Sequence, residues 1–281
     1  MAGDLHNHTT LSDGSTPIER LPVLASRAGL SHLAISDHDS VLSVRYAYEH
    51  PVQQGVQLIP ATELSAFDFD QGERVHLLAY WPDDCEALQR HCQLMADHRN
   101  EAGLRNAKIL EGICPQFCTE DALRYAEGGV LYKAAIMRAL YDIGQADGIY
   151  GETYHKLFGK SSAPGPLKYS PDYETVADVL ATAKASRAVV VFAHPSVYHS
   201  MPLVRKLAAQ GLIDGVEIEH PRNTPEDKQE LYRLAQQYDL IVTGGTDYHG
   251  MHAKRPNPVG TCTTAPDQIE RIHALAKQRK A

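Results

Sequence analysis

The sequence predicts an α/β protein built as a (β/α)7 barrel with a helical insertion. Three observations carry this. Short apolar strand signals alternate with helix signals, metal-ligand residue types recur where the strands become loops, and the alternation stops between residues 85 and 187.

The strand signals fall at residues 2–6, 32–37, 56–63, 74–80, 188–193, 214–219 and 240–246, several rich in Val and Ile. Helix starts are marked after several of them. Thr16-Pro17-Ile18-Glu19 reads as a capping box with proline at the first helical position, and Ser170-Pro171 and Thr224-Pro225 repeat the cap-then-proline device. Strict alternation predicts parallel pairing through right-handed crossovers, closed by seven units rather than the usual eight. In the interruption, 86–111 reads as one long helix, and 120–127, 133–143 and 173–185 as further helices. Gly128-Gly129, Gly144 and Ser161-Ser162-Ala163-Pro164-Gly165-Pro166 read as turns. The expected organisation is a barrel domain from 1–84 and 188–281, with 85–187 a mainly helical insertion that covers the active site.

Composition narrows the function. With 281 residues and 43% hydrophobic content, the chain can bury a full core as one large domain or one domain with an insertion. A net charge of -8 argues against holding long nucleic acid on a broad basic surface, though a small anion remains within reach of local charge. The N-terminal residues show no leader pattern and no apolar run approaches a membrane span, so a cytoplasmic location without membrane contact is expected. No obligate protein partner is evident. The five cysteines, 85, 92, 114, 118 and 262, lack a disulfide framework and read as reduced thiols. Cys114 and Cys118 are too widely spaced, and lack the second pair a tetrahedral site needs.

The chemistry lies at the strand ends. His6 and His8, two apart on an extended chain, project to the same side and can grip one ion, while Asn7 points away. Glu63 and Asp247, each ending a strand, could close that site with hard oxygen ligands, and Glu63 could bridge to a second ion. His76, within a strand, and His194, after one, supply imidazoles for the second position. Asp13, His38 and His249 are what a third ion would need. Taken alone, a strand histidine such as His76 is more often a hydrogen-bonded core residue than a ligand. Six histidines and three carboxylates at or beside the ends of six strands are a different matter, because buried charges without partners cost several kcal/mol each. Two to three divalent ions are therefore expected. The nitrogen and oxygen shell without thiolate suits Mn, Fe or Zn. The other nine histidines, 32, 50, 91, 98, 155, 199, 220, 252 and 273, show no such pattern, and most read as surface residues.

Asp4-Leu5-His6-Asn7-His8-Thr9 with Ser12-Asp13-Gly14, Ile35-Ser36-Asp37-His38-Asp39, Glu63, His76, Ala193-His194-Pro195 and Gly245-Thr246-Asp247-Tyr248-His249 together resemble the PHP (polymerase and histidinol phosphatase) family of metal-dependent phosphoesterases. The likeness is strongest to its stand-alone small members that carry a helical insertion. It implies a distorted seven-stranded barrel with a trinuclear centre: His6, His8, Glu63 and Asp247 on the first ion, Glu63, His76 and His194 on the second, Asp13, His38 and His249 on the third.

The expected reaction is attack on phosphorus by a metal-bridged hydroxide, with no protein nucleophile. Asp37 or His249 could serve the departing oxygen, although Asp37 could equally orient a ligand histidine. For substrate contacts, Lys133 and Arg138 on one amphipathic helix, Lys168 near the return to the barrel, and Arg222 after the sixth strand offer cations. Tyr198 and His199 could meet a base or sugar. Lys133 is favoured because similar phosphoesterases carry a basic residue there. The leading expectation is a phosphomonoesterase for a small metabolite such as a nucleotide 3',5'-bisphosphate. The alternatives are a cyclic phosphodiesterase or RNA-end exonuclease, a histidinol-phosphate phosphatase and, in a different class, a metal-dependent amidohydrolase. A regulatory remnant attached to a polymerase is disfavoured, since every expected ligand is present.

Overall fold

The computed structural model describes residues 2–160, 163–255 and 257–281. Seven strands follow one another round a nearly closed barrel: β1 (Gly3–Asp4), β2 (His32–Ile35), β3 (Val56–Asp68), β4 (Glu73–Tyr80), β5 (Val189–Phe192), β6 (Gly215–Glu219) and β7 (Ile241–Gly244). A two-residue strand, Val52–Gln53, pairs with the start of β3. Helices α1 (Leu21–Arg27) and α2 (Leu42–Glu49) follow β1 and β2. Helices α3 (Glu86–Ile113), α4 (Thr119–Leu123), α5 (Lys133–Asp142), α6 (Glu152–Phe158) and α7 (Val176–Ala185) lie between β4 and β5, and α8 (Met201–Ala209), α9 (Pro225–Tyr238) and α10 (Pro266–Lys280) follow β5, β6 and β7. No helix among the described residues is long and apolar enough to cross a membrane.

Alternation along each strand divides the core. Leu78, Tyr80, Val189 and Val191 pack with Leu5, Ile59 and Ile241 in one cluster, while their neighbours Leu77, Ala79, Val190 and Phe192 face α7, α8 and α9 in another. Residues 107–167 form a separate cluster around Leu110, Phe117, Ile136, Met137 and Leu140.

Two expectations are corrected. The pairing is not parallel throughout, because β4 runs antiparallel to both β3 and β5. Only residues 69–72 join β3 to β4, far short of the dozen or more that a parallel crossover requires. Of the three cap-then-proline signals, only Thr224-Pro225 opens a helix, with the Thr224 hydroxyl accepting from the Asp227 amide. Thr16 bonds the Tyr248 hydroxyl ahead of a short 3-10 turn, and α7 starts six residues beyond Ser170, capped by Thr175. The helix α6 was not legible in the sequence. Ser161 and Ser162 of the predicted turn lie outside the described residues.

Because Tyr80 pairs with Val189, the chain between β4 and β5 leaves and re-enters at one end of the barrel. Helix α3, 28 residues and roughly 42 Å long, carries it along the barrel wall toward the other end. Leu88 and Cys92 near its start pack on the barrel cluster, while Ala107 and Leu110 belong to the separate one. Its middle is fixed by ion pairs. His91 bridges Asp39 (2.8 Å) and Glu174 (2.5 Å), and Arg99 reaches Asp39 (2.5 Å) and the Ser65 hydroxyl (2.8 Å). Burial opposes the charged form of His91, but Asp39 and Glu174 outweigh it and raise its pKa to about 9.

Strands β7 and β1 meet without a regular ladder. Thr264 bonds Gly3 on one side and Gly244 on the other, and beyond it Leu5 donates to the Gly244 carbonyl and Asp247 to the His6 carbonyl. The buried Asp4 carboxylate closes the seam by accepting from the Thr246 amide and hydroxyl and the Gly260 amide. Gly245 lies against this seam, where a Cβ would fall 2.6 Å from the His6 amide nitrogen and nearer still to its Cβ.

Gly245→Ala should therefore destabilise the fold by about 1–3 kcal/mol, as overpacking does. An unchanged urea midpoint would show that the seam tolerates a side chain. His91 has a raised folded pKa, so its contribution to stability is complete below its unfolded pKa of about 6.5 and is lost as pH rises through about 9. The stability difference between the wild type and His91→Gln should accordingly shrink across that window. A pH-independent difference in urea titrations would mean that the ion pairs are not its source.

Candidate metal centre

Glu63 lies within β3, which runs on past the predicted end at residue 63 to Asp68, and its side chain is wholly buried. Five imidazoles from four segments converge on it. His6 Nε2 and His8 Nε2 are each 3.2 Å from Oε2 and His38 Nδ1 is 3.1 Å from it, while His76 Nδ1 and His194 Nε2 lie 2.8 and 2.9 Å from Oε1. Asp247 Oδ1 faces the same group, 3.2 Å from His8 and 3.6 Å from His6. At the outer edge, His249 Nε2 is 3.1 Å and His38 Nε2 3.9 Å from Asp13 Oδ1.

The local chain explains these positions. Extended backbone after β1 puts His6 and His8 on one side, their rings 5.1 Å apart, while Asn7 turns away to bond Asp4 and the Ala34 carbonyl. His194 and Asp247 both occupy left-handed backbone, with φ of 26° and 54°. Non-glycine residues hold that conformation only where their surroundings impose it.

Several buried atoms facing this space form no hydrogen bond: His6 Nε2, both ring nitrogens of His8, Asp13 Oδ1, His38 Nδ1 and Glu63 Oε2. Buried polar atoms without partners are uncommon, and here they are imidazole nitrogens and carboxylate oxygens. Ligand atoms in the sets His8/Asp13/His38/His249, His6/His8/Glu63, His38/Glu63/His76 and His6/His220/Asp247 lie within 4.8 Å of one another, so each set could hold an ion. The donor set fits hard or borderline divalent metals. Charge follows the same geometry. Burial raises the Glu63 carboxyl, but His6, His76 and His38 overrule it and hold it well below the usual range. Burial lowers His8, yet Asp247 and Glu63 bring it up to about 10, while His38 falls to about 3, mainly through burial. The centre is closed at His6, His8 and Glu63 and opens at Asp13, Asp247 and His249, whose side chains are 17, 15 and 15% exposed.

The structure thus brings together all nine residues expected to face metal. The other expectations fare differently. Asp37 is fully buried, and its carboxylate accepts from the Thr9 amide (2.7 Å), the Thr9 hydroxyl (2.7 Å) and the Ser12 hydroxyl (2.6 Å). These three bonds tie it to the Thr9–Ser12 loop just beyond His8, and burial raises its pKa although the His8 charge and the bonds from Ser12 and Thr9 lower it. Arg138 pairs with Asp142, lies over Tyr125 and reaches Met251, so it ties α5 to the loop after β7 rather than facing the centre. Lys168 is exposed on the segment that returns to the barrel. His199 is exposed, and its neighbour Tyr198 makes the ring contacts instead, 5.1 Å from His76 and 5.8 Å from His194. Arg222 is exposed, but its charge reaches Tyr198. Lys133 is half-buried, with Nζ 4.9 Å over the Phe158 ring, and burial, with Arg74 second, lowers its pKa to about 8.

Sequence reasoning missed several residues. Arg74 lies over Tyr198 at 4.7 Å, and its place two before His76 on a strand could have put it on the same face. Three histidines read as surface residues are buried. His91 pins α3, His252 bonds the Asp13 carbonyl, and His220 faces Asp247 at 3.3 Å. His220 ends β6 just as other site residues end their strands, which was a usable signal. Cys114 and Cys118 are free thiols directed at Gln116 and Glu120.

Comparison with known proteins agrees with this arrangement. A phosphoribosyl 1,2-cyclic phosphate 1,2-diphosphodiesterase of Eggerthella lenta is 31% identical over 92% of this chain and 97% of its own length. The 5'-3' exoribonuclease Rnm of Escherichia coli is 28% identical over 88% of the chain and 84% of its length. A crystal structure from Bifidobacterium adolescentis, described as a metal-dependent phosphoesterase, superposes with a TM-score of 0.81 at 28% identity, covering 97% of this chain and 96% of that one. The PHP domain family model matches residues 4–158, more than half of the sequence, and with these relatives it shows that the chain belongs to the PHP family.

Proposed function

We propose that the chain is a metal-dependent phosphoesterase acting on a small ribose-based substrate that carries two phosphoryl groups. The observation that carries this is a cluster of unbonded imidazole and carboxylate atoms beside a pair of cations, Lys133 and Arg74, whose partners are aromatic rings rather than carboxylates. Like charges held near each other, Lys133 half-buried and Arg74 exposed, fit an anion.

In this reading His6, His8, Glu63 and Asp247 hold one ion, Glu63, His76 and His194 a second, and Asp13, His38 and His249 a third, with His8 near enough to share the third set. Mn, Fe or Zn suits the donors. When bound, such ions supply charge neutralisation at phosphorus and lower the pKa of water. The chain's residues do the rest. Glu63 offers its two oxygens to different imidazoles and so would be shared between the first and second sets. The His249 Nδ1 proton is committed to the Asp247 carbonyl at 2.9 Å, which leaves Nε2 as a lone-pair donor beside Asp13. We therefore assign His249 to holding metal rather than to proton transfer. Lys133 and Arg74 receive the phosphoryl group remote from the metals, and Tyr198 lies between Arg74 and His76 where a ribose or base would pass. Residues 85–187 act as an insertion that covers the centre, supported by the Tyr132 hydroxyl on the His38 carbonyl (3.2 Å) and by Tyr150, whose pKa burial raises first and the Asp13 and Asp247 charges further.

Both a nucleotide 3',5'-bisphosphate and a ribose carrying a phosphate and a cyclic phosphate meet this description. The name of the Eggerthella relative favours the cyclic diester as the second reading. The net charge of -8 supports a small substrate or a short RNA end over long nucleic acid. Free thiols at all five cysteines support a cytoplasmic place for the reaction.

Phosphate release, with ring opening of cyclic phosphates followed by 31P NMR, tests the reaction class when manganese-loaded protein is given nucleotide mono- and bisphosphates, cyclic ribose phosphates, sugar phosphates and histidinol phosphate, against a chelated control. Selective, chelator-sensitive release from doubly phosphorylated ribosides is expected, and turnover of amides alone would overturn the reading. Glu63→Ala and Asp247→Ala should each lower kcat at least about a hundredfold and reduce bound metal. Near-normal rates would remove these residues from the centre. Lys133→Met and Arg74→Met should mainly raise KM, and more for a bisphosphate than for the matching monophosphate. Equal effects on both would mean that the two cations do not meet the remote phosphate.

A further inference from the structure

Strand β6 carries a carboxylate that the metal-holding sets leave out. Val216 and Ile218 face the outer helices, so alternation turns Glu217 into the barrel, where it is wholly buried. Its partners are the imidazole of one proposed ligand and the backbone of another. Oε1 accepts from His6 Nδ1 at 2.9 Å, and Oε2 accepts from the His194 amide at 2.9 Å. The first contact fixes the His6 tautomer, since a proton held on Nδ1 leaves Nε2 bare toward Glu63. The second holds His194 at its φ of 26°.

His220 follows the same strand and is 1% exposed. Its Nδ1 accepts from the Arg222 amide at 3.1 Å, and a nitrogen that accepts an amide proton bears none of its own. The neutral ring therefore carries its proton on Nε2, which faces Asp247 Oδ2 at 3.3 Å. That leaves Asp247 Oδ1 directed at His8 and His6. Although His6, His220 and Asp247 lie close enough to share an ion, this tautomer has no lone pair at Nε2 to offer one. Asn223 braces both groups by donating to the Glu217 and Ile218 carbonyls and accepting from the Ser196 amide just beyond His194.

We infer that Glu217 and His220 are positioning residues of the centre: through one strand and its turn they set the tautomer of His6, the backbone of His194 and the carboxylate rotation of Asp247, without binding metal themselves. This rests on the metal reading given above. Outer partners of this kind alter metal affinity by about ten- to a hundredfold when removed.

The test uses full-length protein stripped by chelator and titrated calorimetrically with Mn2+, with visible spectra of Co2+-loaded samples as a second readout. Glu217→Gln puts an amide N–H against a donor, and His220→Ala removes the proton offered to Asp247. Each should weaken Mn2+ binding about ten- to a hundredfold and change the Co2+ spectrum. His220→Gln can still donate to Asp247 and should recover part of the loss. Far-UV circular dichroism of the metal-free variants checks folding, and if Glu217→Gln does not fold, the two His220 variants decide. Unchanged affinity and spectra, or equal losses in His220→Ala and His220→Gln, would overturn the inference while leaving the metal centre intact. A wild type that takes up no Mn2+ or Co2+ would remove the centre itself, and the inference with it.

Discussion

A single buried carboxylate, Glu63, sets the terms for the rest of the molecule. Its two oxygens face imidazoles from the segments after β1 and β2, from β4 and from the turn after β5, all within 2.8–3.2 Å. A carboxylate in the middle of a barrel wall is tolerable only with such company, because an isolated buried charge would be neutralised or would unfold its surroundings. The same five imidazoles cannot all be protonated at this spacing. His8 is drawn up to about 10 while His38 is pushed down to about 3, a division that leaves lone pairs pointing at carboxylate oxygens. Divalent ions resolve that conflict, so the fold and the proposed chemistry share one electrostatic requirement.

The remaining architecture serves to bring those segments to one point. The antiparallel β4 matters here, because it places His76 on a strand running against its neighbours and sends the chain out at the far end of the barrel. Helix α3 then has to travel back along the wall, and the Asp39–His91–Arg99 contacts anchor it one residue from His38. Tyr132 continues the connection, lying under Arg99 and donating to the His38 carbonyl. The position of one expected ligand is thus tied to the segment between β4 and β5. Breakage at Asp39 would be felt both in packing and at the site.

Access follows from what is left uncovered. The buried half of the centre belongs to His6, His8 and Glu63, while Asp13, Asp247 and His249 keep partial exposure. On the side of His76, Arg74 and Lys133 have aromatic rings rather than carboxylates as neighbours. The anion preference proposed for this acidic protein rests on such placement rather than on net charge.

The sequence by itself determined the seven strands, the long helix after β4 and all nine residues that face the centre. Strand alternation and strand-end position are local properties, readable from spacing of two and from where an apolar run stops. The direction of β4 was also local, hidden in a four-residue connection too short for a crossover. What spacing could not supply were roles that depend on partners distant in the chain. Asp37 reads as a free carboxylate until Thr9 and Ser12 are seen to occupy it, and Arg138 as a substrate contact until Asp142 and Tyr125 claim it. His220 has only its strand-end position and Glu217 no signal at all, and only the fold brings them against Asp247 and His6, 27 and 211 residues away. A side chain's type is written in the sequence, but its protonation and its free lone pairs are decided by whichever neighbours tertiary packing delivers.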